Sequence, residues 1–231
     1  MKKKVMITGT NRGIGFEFVK RYLEEGWDVI ATCRDPSKAD KLHSLSLGSP
    51  MLRVEKLDVK EKDDYIHLKE KLSNQTLDLI IANAGIYGPR DLNLNQIEAD
   101  SWELVLKVNS IAPLLLAKHM EPLLNLAKKP KMAFITSKMG SISDNSSGGS
   151  YIYRSSKAAL NAAVKSLAID WEKRGIAVGM YHPGWVKTDM GGPNAMISVQ
   201  ESVRNLMEQV QKLTLEKTGC FENYDGTPIP W

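Results

Sequence analysis

Short apolar runs alternate with longer stretches of helical periodicity along almost the whole chain, and no single motif constrains the fold as strongly. The apolar runs are VMIT (5–8), DVIATC (28–33), MLRVEKL (51–57), LDLIIA (77–82), KMAFIT (131–136), IAVGMYH (176–182) and a short one at Cys220–Phe221. Helical patterns occupy 14–25, 61–73, 101–127, 154–173 and 198–217. Asp100 with Glu103, and Ser198 with Glu201, have the spacing of a capping box. Gly26 and Gly175 follow the ends of two helical patterns, where a left-handed cap is often needed. Parallel strands need crossover connections, so the alternation predicts an α/β fold, a doubly wound parallel sheet with helices on both faces. No repeat, low-complexity tract or linker interrupts the chain. Its 231 residues suit one domain, 1–231, with a substantial core.

The totals narrow the function classes. A net charge of +4 is modest and gives no reason to expect nucleic acid. MKKK is basic, but only VMI follows it before polar and glycine residues, which is no secretory apolar core. No run approaches the about 18 apolar residues of a membrane span. Cys33 and Cys220 are far apart and unaccompanied, and His43, His67 and His119 are scattered, so no metal-ligand spacing or disulfide framework is present. A cytoplasmic protein without metal, membrane or nucleic-acid partner is the expectation.

Gly9, Gly13 and Gly15 sit where the first strand hands over to the first helix. Glycine there allows close approach to the unpaired N–H groups and positive dipole end of the helix, a natural phosphate site. The spacing is G-x-x-x-G-x-G, neither the dinucleotide fingerprint nor a P-loop, and a merely tight strand–helix turn would read the same way.

Further motifs follow in order: TGTNRGIG (8–15), LDV (57–59), ANAG (82–85), VNS (108–110), TSKMG (136–140), YRSSK (153–157) and HPGWVKTDM (182–190). Together they resemble the short-chain dehydrogenase/reductase family over nearly the whole chain. The tail GCFENYDGTPIPW and the run HPGWVKTDMGG look more narrowly like sniffer-type carbonyl reductases and C-factor-like proteins. The resemblance implies a Rossmann-type fold with strand order 3-2-1-4-5-6-7 and a nicotinamide cofactor. It places Gly9, Asn11, Arg12, Gly13, Ile14 and Gly15 around that cofactor, with Asp58 and Val59 at the adenine. Asn83, Ala84 and Gly85 would lie in the loop after the fourth strand, beside the adenine ribose. Asn83 equally suits a role knitting neighbouring loops.

An acid near the end of the second strand favours NAD, whereas the 2′-phosphate of NADP(H) needs positive charge. Here the strand runs into Arg34 and then Asp35. Arg12 and Arg34 converging on that phosphate would favour NADP(H) over NAD(H). Two solvated arginines, or Asp35 turned into the ribose pocket, would not.

Tyr153 and Lys157 are four residues apart and share a helix face. A phenol with a pKa near ~10 is a poor acid–base catalyst at neutral pH unless neighbouring positive charge stabilises phenolate. On the resemblance, Lys157 supplies that charge and bonds the nicotinamide ribose, while Tyr153 passes its proton to a carbonyl oxygen. Ser137 would bond the same oxygen, with Thr136 and Ser141 as neighbouring hydroxyls. Asn109 would interrupt its helix and hold a water linking Lys157 to solvent, or pair only with backbone. Tyr151 lacks a lysine four residues on. His182 invites a triad with Ser137, but no G-x-S-x-G elbow surrounds that serine. SDNSSGGS (143–150) makes the Ser137–Tyr153 connection longer than is commonest and should loop out.

After the sixth strand, the resemblance assigns Pro183, Gly184, Val186 and Thr188 to the nicotinamide. The nine residues 189–197 would form a short lid with Met190, Met196 and Ile197 as an adaptable apolar wall. Alanines at 158, 159, 162, 163 and 168 allow close helix packing, and the family commonly dimerises through this helix. The expectation is an NADP(H)-dependent reductase of aldehydes or ketones, as a homodimer. Its rivals are a C-factor-like nucleotide-binding signalling protein and a nucleotide-sugar epimerase or dehydratase, for which the C-terminal region is short.

Overall fold

A computed structural model describes residues 2–231. Seven strands, β1 (Lys4–Thr8), β2 (Asp28–Cys33), β3 (Leu52–Lys56), β4 (Leu79–Ala82), β5 (Lys131–Ile135), β6 (Ala177–His182) and β7 (Cys220–Asn223), form one sheet. The order is β3-β2-β1-β4-β5-β6-β7 and every pair is parallel. The helices are α1 (Gly13–Glu24), α2 (Asp40–Leu47), α3 (Lys62–Lys71), α4 (Ala99–Leu106), α5 (Ala112–Leu124), α6 (Tyr151–Glu172) and α7 (Val199–Lys212). This is the doubly wound Rossmann-like arrangement and strand order expected.

The strands read as continuous apolar runs because both sheet faces are covered. Met6, Ile80, Phe134 and Met180 point to one side, against Leu68, Met120, Leu160 and Val164 of α3, α5 and α6. Val5, Ile7, Ile81 and Tyr181 alternate to the other side, against Phe18, Leu42 and Leu206 of α1, α2 and α7. The strand order reverses between β1 and β4, which opens a crevice beyond their C-terminal ends.

Gly26 and Gly175 adopt left-handed φ values of +78° and +75°, as their positions after helices required. Ser198 Oγ accepts from the Glu201 N–H at 3.1 Å, capping α7. Other expectations need correction. Asp100 caps nothing: the helix begins one residue earlier, leaving Asp100 in its first turn, where its charge still suits the dipole. The single helix expected over 101–127 is two helices joined by a π-helical turn, Lys107–Ile111. The eight-residue α2 had no expectation at all, since only Leu42 in it is buried and the apolar signal is weak. Helix α6 starts at Tyr151 rather than 154, and the last helix stops at Lys212, followed by a separate 3-10 turn at Leu215–Lys217. No helix among the described residues is long and apolar enough to cross a membrane.

Candidate active site

The loops at the C-terminal edge of β1, β4, β5 and β6 meet around the N-terminus of α1 and the first turns of α6. At β1 the chain turns through Gly9 (φ +70°) and enters α1 at Gly13 (φ +56°). Gly15 is there for space: a Cβ would run into the Gly9 carbonyl and lie 2.6 Å from Asn83 Nδ2. No side chain caps α1; its N-cap residue, Arg12, makes no cap hydrogen bond. Asn11 and Arg12 are exposed and Gly13 and Ile14 half-buried, so an anion can reach these amides. The Thr8 hydroxyl accepts from the Asn83 and Ala84 N–H groups, both at 3.1 Å. Asn83 Nδ2 donates to the carbonyls of Thr8 (2.9 Å) and Gly9 (3.2 Å). Asn83 therefore knits β4 to the glycine turn.

At the end of β2, Arg34 is exposed and forms no ion pair or side-chain hydrogen bond among the described residues. Asp35 is turned away into a cap: its carboxylate accepts from Ser37 N (3.1 Å) and Ser37 Oγ (2.6 Å) and pairs with Lys38 at 3.2 Å. The Ser37 hydroxyl first, then Lys38, hold this carboxyl below its ordinary value. Arg12 does not converge with Arg34 here but pairs with Asp189 at 2.8 Å, both side chains being largely exposed. Asp58 Oδ1 accepts from Lys60 N at 3.0 Å, and the Val59 carbonyl accepts from the Tyr65 hydroxyl at 2.7 Å.

Ser137, Tyr153 and Lys157 are brought together and buried. Ser137 leaves β5 in extended conformation, and its Oγ accepts from Met139 N at 3.1 Å, fixing the following turn. That turn packs directly on α6: a Cβ on Gly140 would sit 2.8 Å from the Lys157 carbonyl carbon. The competing hydroxyls are occupied elsewhere, Thr136 donating to Asn161 Oδ1 at 2.6 Å and Ser141 accepting from Asp144 N at 3.1 Å. The residues from Ile142 to Gly149 are exposed, so the longer connection loops outward as expected. Tyr151 is 44% exposed and lines the outer cavity rather than the buried corner with Ser137 and Lys157.

Lys157 Nζ donates to the Ile135 carbonyl at 3.0 Å and lies 5.9 Å from the Tyr153 ring centre. Burial pulls this amine down to about 8. Burial also pushes the Tyr153 phenol up to about 12, opposed by the Ser137 hydroxyl and more weakly by Arg90. The expected lowering of the phenol is thus not achieved by protein groups alone, because desolvation outweighs them. Asn109 lies in the π-helical turn, a local interruption as expected. Its Oδ1 accepts from Ile86 N (2.9 Å), and its Nδ2 donates to Ile86 O (2.8 Å) and Ser156 Oγ (3.0 Å). Gly85 lies between Asn109 and Lys157; a Cβ there would sit 3.3 Å from Asn109 Oδ1 and 3.8 Å from Lys157 Nζ.

After β6, Pro183 and Gly184 turn the chain and Val186 is buried, bridged to Ile197. The Thr188 hydroxyl is used within this segment, accepting from Gly191 N at 3.0 Å and donating to Val186 O at 3.3 Å. Met196 is 79% exposed, so most of its side chain forms no wall in this arrangement. Burial draws His182 down to about 4, and its Nδ1 has no partner among the described residues. A cavity of about 410 Å³ opens beside Tyr153, lined by Tyr87, Leu92, Ile97 and Ile152 among others. Sequence reasoning missed Tyr87, which lines this cavity, and Arg90, which lies against the Tyr87 ring. Tyr87 stacks on the Tyr153 ring at 4.5 Å, and their only sequence signal is closeness to ANAG.

Comparison with known proteins agrees with this geometry. The family model described as short chain dehydrogenase matches residues 3–196. The chain superimposes on the carbonyl reductase Sniffer of D. melanogaster with a TM-score of 0.95 and 34% identity, over 100% of both chains. An NADPH-bound carbonyl reductase from chicken fatty liver gives a TM-score of 0.92 and 34% identity, over 100% of this chain and 99% of that one. The C-signal protein of Myxococcus xanthus is 39% identical over 155 residues, 67% of this chain and 93% of that one. The chain belongs to the short-chain dehydrogenase family of oxidoreductases.

Proposed function

We propose that this protein is an NADP(H)-dependent carbonyl reductase that converts an aldehyde or ketone to an alcohol, with Tyr153 as proton donor. One observation carries the reading: Ser137, Tyr153 and Lys157 converge in a buried corner that opens onto a cavity of about 410 Å³. Bound NADP(H) would supply the hydride. The uncapped α1 terminus with Gly9, Asn11, Arg12, Gly13, Ile14 and Gly15 fits its phosphates. Asp58, Val59, Ala84 and Gly85 would line the adenine side, and Pro183, Gly184, Val186 and Thr188 the nicotinamide side. Asn83 serves that pocket by holding β4 to the glycine turn.

A preference for the 2′-phosphorylated cofactor is supported by two side chains. Arg34 is exposed and uncommitted, and Asp35, the acid that would favour NAD, is spent on Ser37 and Lys38. NADP- and NADPH-bound structures among the similar proteins point the same way.

The chain's own groups divide the proton chemistry. Tyr153, kept protonated by burial, delivers its proton to the substrate oxygen. Ser137 donates to that oxygen as negative charge develops. Lys157 holds positive charge beneath the phenol, and Asn109 secures the Ile86 backbone beside it. A water held beside Asn109 would link Lys157 to solvent and carry the replacement proton to Tyr153.

The test is NADPH oxidation against a panel of aldehydes and ketones, with Tyr153→Phe and Arg34→Asp alongside. Turnover should fall at least ~100-fold in Tyr153→Phe, and Arg34→Asp should narrow or reverse the NADPH preference. Turnover untouched by Tyr153→Phe would remove the proton donor, and equal NADPH and NADH affinities in the unmodified protein would remove the cofactor assignment. The similarity to C-signal favours a second reading, a nucleotide-binding signalling protein in which catalysis is secondary. Signalling undiminished in Tyr153→Phe would support it.

A further inference from the structure

We propose that Tyr87 and Arg90 are positioning residues for the Tyr153 phenol, joining the loop after β4, the proton donor and the segment after β6 in one stack. The proposal rests on Tyr153 being the proton donor. The Tyr87 and Tyr153 rings lie 4.5 Å apart at an interplanar angle of 20°, a stacked pair. The Arg90 guanidinium carbon sits 4.3 Å from the centre of the Tyr87 ring, within cation–π range. The same guanidinium donates to the Met190 carbonyl, in the segment expected to act as lid. The far end of Tyr87 is pinned as well: its hydroxyl bonds Ser150 Oγ at 3.0 Å. Ser150 immediately precedes α6 and holds φ +47°, a left-handed conformation that serine keeps only where its surroundings fix it.

Each contact has a consequence for proton transfer. A helix-borne phenol can still rotate about its side-chain torsions, and the covering Tyr87 ring limits that rotation and excludes water from one face. Because Arg90 touches both Tyr87 and the lid backbone at Met190, a lid displaced from Arg90 loosens the stack over the phenol. Among the described residues, the charged and titratable groups around Tyr153 are Lys157 and Tyr151 on its own helix, Tyr87 and Arg90 from the loop after β4, and Asp91 in the adjoining cavity. Burial and, to a lesser degree, Tyr87 oppose phenolate, whereas the Ser137 hydroxyl just beyond β5 and the positive charge of Arg90 favour it. A charge-neutral replacement of Arg90 must therefore raise the pH at which Tyr153 ionises.

Two readouts test this on the NADP⁺-saturated protein and its turnover. In [ζ-¹³C]tyrosine NMR, with the Tyr153 resonance identified by its loss in Tyr153→Phe, the titration midpoint of Arg90→Met should lie above that of the wild type. Reduction of 4-nitrobenzaldehyde by NADPH should show a kcat about 10-fold lower in Tyr87→Leu, with KM for NADPH unchanged and Tyr87→Phe restoring the rate. Coincident midpoints in Arg90→Met, or an undiminished kcat in Tyr87→Leu, would overturn the proposal. Full turnover in Tyr153→Phe would instead defeat the proton-donor reading, with the resonance shifts still reporting the stack.

Discussion

Lys157 shows how a single residue is set by its surroundings. Lys157 is 5% exposed, and the hydrogen bond from its amine to the Ile135 carbonyl does not offset the lost water. Its pKa falls to about 8, so the charge is complete below that pH and disappears as pH rises through it. Since kcat/KM for NADPH reports groups of the free enzyme, it should decline above about pH 8. Lys157→Arg keeps its charge at every accessible pH, so its weaker activity should lack this limb. A limb of the same midpoint in Lys157→Arg would assign the titration to another group. The residue pattern alone made Tyr153 and Lys157 visible as a pair on one helix face. It did not show the sign of the phenol's shift, because desolvation depends on everything packed around the pair. Nor did it show Tyr87 and Arg90, whose contacts join β4, α6 and the lid across 66 to 100 positions.

Element types were legible wherever the apolar pattern was long or sheltered on both sides. All seven strands lie where an apolar run ends in small or polar residues, and β2 matches the expected span to the residue. The helices were less exact at their ends. Capping spacing at Asp100 and Glu103 coincides with a real helix, but the chain enters it through Glu98, and no side chain caps it. The same spacing at Ser198 and Glu201 does mark a cap. The π-helical turn was foreseen only through Asn109, as the local interruption that the family resemblance implied. The Ser198 cap yields a prediction for α7. Ser198→Ala leaves the Glu201 N–H without its acceptor, which costs about 1 kcal/mol. That should lower Tm by about 2–4 °C with turnover unchanged. A Tm within error of the wild type would mean that water replaces the hydroxyl at no cost.

At the scale of the molecule, the parallel sheet fixes where chemistry can occur and leaves one face to explain. Both sheet faces are covered by helices, so the surfaces open to a second copy include the edge strands β3 and β7 and the outer faces of the helices. On α6, Ala158, Ala162 and Ile169 share an outward face by their spacing. Ala162 is exposed and Ile169 is 53% exposed, although Val164 and Ala168 of the same helix are fully packed inward. Small residues beside an apolar one let two copies of a helix approach closely, and a two-fold axis across α6 would bury the patch on both. A homodimer is therefore expected by light scattering on a sizing column. Ile169→Arg places one charge from each copy near that axis and should give a monomer. The substitution lies three turns along α6 from Lys157, so NADPH affinity of the monomer should stay within about twofold of the dimer. An unmodified protein that runs as a monomer at micromolar concentration, or an Ile169→Arg variant that stays dimeric, would place the interface elsewhere or remove it.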